Sequence, residues 1–294
     1  LSKAFPPGIE TRSVLAVRKQ TADNAVFVQM WQHAKALTGR DYIEAKADRT
    51  AQEIKRFWAG KRCWFGWSGG KDSIALAEVC RRAGITHCCF AMTRLEYPAF
   101  LSWVTENMPE DLEVVQTGLD LNWLCQNLGM LFPQDAATAA KWFGKVQHTA
   151  QRFVVHRYSL DGMILGRRRE DGNYIGPKGA NWYERQGVLR HSPMADWTHA
   201  EVLALIAWRN LPMPPIYTWP NGFVVGTGAW AARQYTGSIA NGWREVDSID
   251  PSVVQTAATR IVSARKFLET KRSAAHTPSG TGSQPMKHGL REEK

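Results

Sequence analysis

Six consecutive residues carry the clearest chemistry in the chain: Ser68, Gly69, Gly70, Lys71, Asp72 and Ser73. They follow the apolar run Cys63–Trp67 and precede a stretch with apolar residues at helical spacing (Ala75, Leu76, Val79, Cys80, Ala83). Two adjacent glycines let the backbone turn sharply and approach a ligand closely. The start of the following helix offers unpaired N–H groups and a partial positive charge to an anion. Ser68 and Ser73 add hydroxyl donors, and Lys71 adds a full charge, worth roughly 4 kcal/mol against a phosphate at an effective dielectric of about 20 before desolvation is counted. The glycines and lysine stand too close together for the GxxxxGK[ST] loop of kinases and GTPases. A second cationic stretch, Gly166-Arg167-Arg168-Arg169-Glu170, has guanidinium groups suited to bidentate phosphate contact. Read plainly, it is also a solvated basic loop. Asp196 and Trp197 read as structural, the first near a helix start and the second as packing.

Strands alternate with helices around these stretches. Cys63–Trp67, Ile85–Met92, Leu112–Gln116 and Asp161–Gly166 read as strands. Helices are expected from Lys71, over Tyr97–Met108, near Leu121–Leu128 and over 136–158. This alternation predicts an α/β fold, a parallel sheet covered by helices on both faces. Ligands of such sheets sit at the carboxyl ends of the strands, where both the 68–70 turn and Gly166 fall. Residues 1–54 read as an N-terminal extension, with a short strand over Thr11–Gln20, a helix over Asn24–Leu37 and a second helix starting at Thr50. There Thr50 and Glu53 match a capping box. Thr198 and Glu201 match another, opening a helix within Pro193–Arg209. Residues 170–190 and 211–245 read as loops. The main domain is expected over 55–245, a C-terminal helix over 246–272 and a disordered tail over 273–294, where Ser, Gly, Thr, Pro and Lys cannot build a core.

The formal net charge of +10 favours polyanionic partners, nucleotides or nucleic acid. Five cysteines lack any CxxC pair, so reduced thiols are expected and no metal site is assigned; His87-Cys88-Cys89 reads as buried strand. No run of eighteen apolar residues is present, and residues 1–13 lack the apolar middle of a secretion signal. The expectation is a cytoplasmic protein with no membrane partner.

SGGKDS between an apolar strand and a helix resembles the PP-loop of ATP pyrophosphatases, of adenine nucleotide α-hydrolase-like, Rossmann-like fold. The ordered set GRRRE at 166–170, PMADWT at 193–198, Leu211-Pro212 and Pro214-Pro215-Ile216-Tyr217 narrows the resemblance, over roughly residues 55–235, to the phosphoadenylyl-sulfate (PAPS) reductase branch. The resemblance implies ATP as cofactor with Mg²⁺, adenine against the second strand near Ala91 and Met92, and phosphates on Ser68–Ser73. It also implies that Arg167 and Arg168 reach the phosphates or an anionic substrate and act with Lys71 on developing charge. Asp72 would hold the loop through backbone bonds or help hold Mg²⁺. Reductases of this branch attack sulfur with a thiol in a C-terminal ECGLH-like stretch. Residues 246–294 contain no cysteine, and only Thr93, Glu96 and Pro98 echo the relatives' acidic turn after the second strand. Reduction would then need an external thiol. Cysteine-free members occur beside DNA sulfur-modification, phage and type IV CRISPR loci. The resemblance therefore implies cleavage of ATP between its α and β phosphates for a nucleic-acid or ribonucleoprotein system, or nucleotide-dependent nucleic-acid binding without turnover. Thirteen tryptophans include candidate stacking surfaces, although most are expected in packing.

Overall fold

A computed structural model describes residues 24–234 and 236–275. Thr11–Gln20 and residues 276–294, expected as strand and tail, lie outside the described residues. Among the described residues, three helices come first: α1 (Asn24–Gln32), α2 (Ala34–Leu37) and α3 (Arg40–Phe57). Then follow β1 (Cys63–Gly66), α4 (Lys71–Ala83), β2 (Cys88–Met92), α5 (Pro98–Asn107), β3 (Leu112–Gln116) and α6 (Leu121–Gln126). The helices α7 (Ala136–Phe143) and α8 (Thr149–Arg157) are joined by one π-helical stretch, Gly144–His148. After β4 (Gly162–Ile164) come the hairpin strands β5 (Trp182–Arg185) and β6 (Val188–His191), then α9 (His199–Trp208) and the single turn α10 (Gly222–Val225). The described chain closes with α11 (Ile239–Ile249), α12 (Pro251–Ala258) and α13 (Val262–Ala275).

The six strands form one sheet in the order β3-β2-β1-β4-β6-β5. Every pairing is parallel except β5 with β6 at the edge. Both faces are apolar because successive strand side chains point to opposite sides. In β2, Cys88 and Phe90 enter one core with Phe65, Leu76 and Leu205, whereas Cys89 enters the other with Val115, Val154 and Met163. Helices α3, α4 and α9 pack together over the first face, and α8 runs across β2, β3 and β4 on the second. The α/β sheet covered on both sides is the expected one.

Several elements differ from expectation. The helix expected to start at Thr50 starts at Arg40, and the Thr50 hydroxyl donates to the Lys46 carbonyl at 2.9 Å inside it. The helix over 24–37 breaks at His33. The 170–190 stretch contains a hairpin, the 211–245 loop runs into α11, and the last helix divides at Thr259 and continues to Ala275. Among the described residues no helix is long and apolar enough to cross a membrane.

Candidate functional site: a glycine turn at the strand ends

The turn between β1 and α4 is tied by its own side chains. The Ser68 N–H donates to Ser73 Oγ at 3.0 Å, and Ser73 Oγ donates to the Gly70 carbonyl at 2.9 Å. Gly69 has φ +67°, in the left-handed region, and a Cβ there would lie 3.1 Å from the Phe100 and Trp103 rings. Gly166, at the end of β4, comes so close that a Cβ would sit 3.1 Å from the Asp72 carbonyl. The close approach brings the loop after β4 against the first turn of α4.

Charged groups lock that approach. Asp72 accepts from Lys71 Nζ at 2.7 Å through one oxygen and from Arg168 Nε at 2.9 Å through the other. Burial raises the Asp72 carboxyl, but the charges of Lys71 and Arg168 outweigh it and hold the group at about 2. Arg168 is wholly buried. Its remaining donors go to Glu170, Asp171, the Trp197 carbonyl and His199 Nδ1. A guanidinium has five N–H groups, and all five are committed to protein partners. His199 must accept from Arg168, so it is neutral; burial, with Lys71 and Arg168 nearby, lowers its pKa to about 3.

These contacts revise two expectations. Arg168 is not presented to a phosphate; it clamps the loop after β4 to α4. Asp72 holds the turn through side-chain ion pairs rather than backbone bonds. Its two oxygens are paired with Lys71 and Arg168, and no cluster of three or more metal-binding side chains occurs among the described residues. Lys71 itself is 5% exposed, with its ammonium turned onto Asp72.

Tyr217, quoted above only for its motif, stands at the turn. Its hydroxyl accepts the Lys71 N–H at 2.6 Å, one of the amides that would greet an anion. Burial, with Asp72 close by, raises its pKa, so the phenol is neutral.

In front of Ser68 opens a small cleft of about 150 Å³, part of it open to solvent. Ser68, Ala91, Thr93, Glu96, Trp142, Phe143 and Thr227 are among the residues that line it. Of the residues expected at a nucleotide, Ser68 and Ala91 line this cleft. Met92 does not: its carbonyl accepts from the Thr117 N–H and hydroxyl, and its side chain joins the core. Arg167 lies beyond Phe143, with its guanidinium 5.1 Å from that ring and bonded at 2.5 Å to the Tyr183 hydroxyl.

Sequence reasoning gave Glu96 only as an echo of a motif. Its Oε1 accepts the Thr93 N–H and hydroxyl, both at 2.8 Å, while its buried Oε2 has no partner. Burial raises its pKa above 4.5 despite those bonds. Glu96, which lines the cleft, thus carries a buried, unpaired carboxylate oxygen. None of the five cysteines lines the cleft. Burial pushes the Cys63 and Cys89 thiols up to about 12 and also raises Cys80 and Cys88.

Comparison with known proteins gives the family. A reviewed PAPS reductase from Gloeobacter violaceus is 40% identical over 55 residues, 18% of this chain and 23% of that protein, so the match spans less than a quarter of the relative. Two solved structures are similar at low identity. The phosphate complex of PAPS reductase from Candida auris is 13% identical, covering 66% of this chain and 96% of that one at a TM-score of 0.45. The U34-tRNA thiolase NcsA from Methanococcus maripaludis, with its [4Fe-4S] cluster, is 16% identical, covering 86% and 80% at a TM-score of 0.38. The profile of the phosphoadenosine phosphosulfate reductase domain matches residues 62–224, from just before β1 to the single turn α10 and over half of the chain. The chain therefore belongs to the phosphoadenosine phosphosulfate reductase domain family.

Proposed function

We propose that the chain binds ATP at Ser68–Ser73 and cleaves it between the α and β phosphates. The observation that carries this reading is the placement of the SGGKDS turn at the strand ends, with Ser68 in the wall of a cleft that Ala91 and Glu96 share. Adenine would lie against Ala91, and the phosphates along the turn and the first amides of α4. A nucleophile attacks the α-phosphorus, the bridging P–O bond breaks, and pyrophosphate leaves with the electron pair. Lys71 offsets the developing charge once its ammonium leaves Asp72. Glu96 Oε2, made more basic by burial, receives the nucleophile's proton. Mg²⁺ would arrive on the triphosphate, as it does where substrate phosphates supply part of its coordination. The second substrate is proposed to belong to a nucleic-acid modification or defence system, type IV CRISPR among them, on the resemblance given above.

A second reading is ATP binding without turnover. The full commitment of Arg168 and the pairing of Lys71 with Asp72 favour it, because no cation stands free at the turn. Reduction of a sulfonucleotide would require a thiol from elsewhere, as the chain's cysteines lie outside the cleft.

Incubation with Mg²⁺ and α-labelled ATP separates the readings. AMP and pyrophosphate are expected; ADP and phosphate would defeat the proposal, and ATP bound but unconsumed selects the second reading. By calorimetry, Lys71→Ala should weaken ATP binding by one to three orders of magnitude, roughly 1.4 kcal/mol for each. Unchanged affinity would mean that the turn does not hold the phosphates.

A further inference from the structure

Most of the buried or half-buried arginines are neutralised inside the protein. Arg82, Arg168 and Arg233 all pair with carboxylates. The buried Arg190 and half-buried Arg167 are not neutralised in this way, and neither are the exposed Arg152 and Arg185. Among the described residues, no ion pair joins Arg152, Arg167, Arg185 or Arg190 to an acid, and these four converge on one surface.

Three segments build that surface. The hairpin presents Tyr183 and Arg185 on one pleat face, with Arg190 directly opposite Tyr183. The α7–α8 bend supplies Phe143, His148 and Arg152, and the loop after β4 supplies Arg167 and Tyr174. Contacts make the surface continuous. The Arg167 guanidinium lies 5.1 Å from the Phe143 ring and 5.9 Å from Tyr183, and Arg190 lies 5.8 Å from Tyr183. Tyr174 meets Tyr183 edge-on at 5.0 Å, and Phe143 meets His148 at 4.8 Å. Arg190 is only 2% exposed, yet it is held by Gln151 Oε1 and two carbonyl oxygens, with no counter-ion. Arg167 Nη2 is buried without any partner. Taking a guanidinium out of water without an anion is unfavourable, so such a cluster favours negative charge brought to it. Burial and these four arginines hold the His148 pKa down at about 4, the sign of a strongly positive local field.

The rings say which anion. Tyr174 is 61% exposed and Phe143 41%, interleaved with the cations. A strand with phosphates and free base faces matches this pattern; a duplex with stacked bases cannot use the rings. We propose that the surface formed by the β5–β6 hairpin, the α7–α8 bend and the loop after β4 binds single-stranded nucleic acid. Phosphates rest on Arg152, Arg185 and Arg167, and bases stack on Tyr174 and Phe143. Phe143 also lines the cleft in front of Ser68, so a bound strand runs to the cleft mouth. Binding here does not rest on the ATP reading and requires no nucleotide.

The test is fluorescence anisotropy with a labelled RNA of about 20 nucleotides and its duplex at low salt, site sizes on such surfaces being several to about 16 nucleotides. Wild type should bind the single strand more tightly than the duplex. Arg152 and Arg185 are both exposed, so Arg152→Gln/Arg185→Gln should fold normally. It should bind about tenfold more weakly, with the salt slope lower by about 1.4 for two lost phosphate contacts. Tyr174→Ala should bind about fivefold more weakly at an unchanged salt slope. Arg265→Gln/Lys266→Gln removes the same charge from α13 and should bind as wild type. Equal loss in the two charge variants would reduce the binding to diffuse charge and overturn the proposal, as would undiminished binding by Arg152→Gln/Arg185→Gln or a preference for the duplex. Calorimetry with ATP on the Arg152→Gln/Arg185→Gln protein gives an independent reading of the turn.

Discussion

Glu96 and Arg168 show how differently two charged residues beside the turn can be occupied. Arg168 is exhausted by its partners, whereas Glu96 keeps one buried oxygen unpaired. A carboxyl whose folded pKa lies above its ordinary 4.5 holds its proton more tightly in the folded state. Stability from that proton is present below pH 4.5 and is lost as pH rises through the raised value. Glu96→Gln should therefore raise the melting temperature at pH 7.5, with the gain vanishing by about pH 4, below the ordinary carboxyl pKa. Thermal scans across pH check this, and an equal gain at both ends would show that the charge is not the cause. Ser68–Ser73 was legible in the sequence because its chemistry is local: adjacent glycines, then a helix start. The role of Arg168 was not, because Asp72, Trp197 and His199 reach it from separate segments.

The same four-residue pattern has two outcomes at the level of helices. Thr198 caps α9 as expected, accepting the Glu201 N–H at 3.2 Å, while Glu201 accepts the Thr198 N–H at 2.7 Å. Glu201 also binds Lys46 and Tyr42, so the cap fastens α9 to α3. Thr50 and Glu53 read alike but lie in mid-helix, because α3 already begins at Arg40. Thr198→Ala should cost about 1 kcal/mol in urea unfolding; no loss would mean that Glu201 holds the helix start unaided. The hairpin escaped notice for a different reason. Its strands, WYER and VLRH, are half polar, and its turn is Gln186-Gly187 rather than Asn-Gly. Both turn residues have positive φ, 55° and 68°, which suits the twist of a two-residue hairpin.

Across the molecule, the N-terminal helices are joined to the turn through side chains. Phe27 of α1 touches His199 at 4.6 Å and stacks on Phe223 at 6.1 Å; Phe223 in turn packs on Tyr217 at 4.6 Å. His199 supports Arg168, and Tyr217 bonds Lys71, so one phenylalanine backs both supports of the turn. The alternation of strands and helices made the sheet legible from sequence. This long-range bracing was not, since it depends on which loops meet over α9. The Tyr217 hydroxyl has a further consequence. The chain carries its own occupant for the Lys71 amide, so an incoming phosphate competes intramolecularly with a phenol that dilution never removes. Observed affinity is then the intrinsic affinity reduced by the fraction of molecules with the phenol withdrawn. Tyr217→Phe should tighten pyrophosphate binding in calorimetry, and weaker binding would instead make the phenol a donor to the ligand.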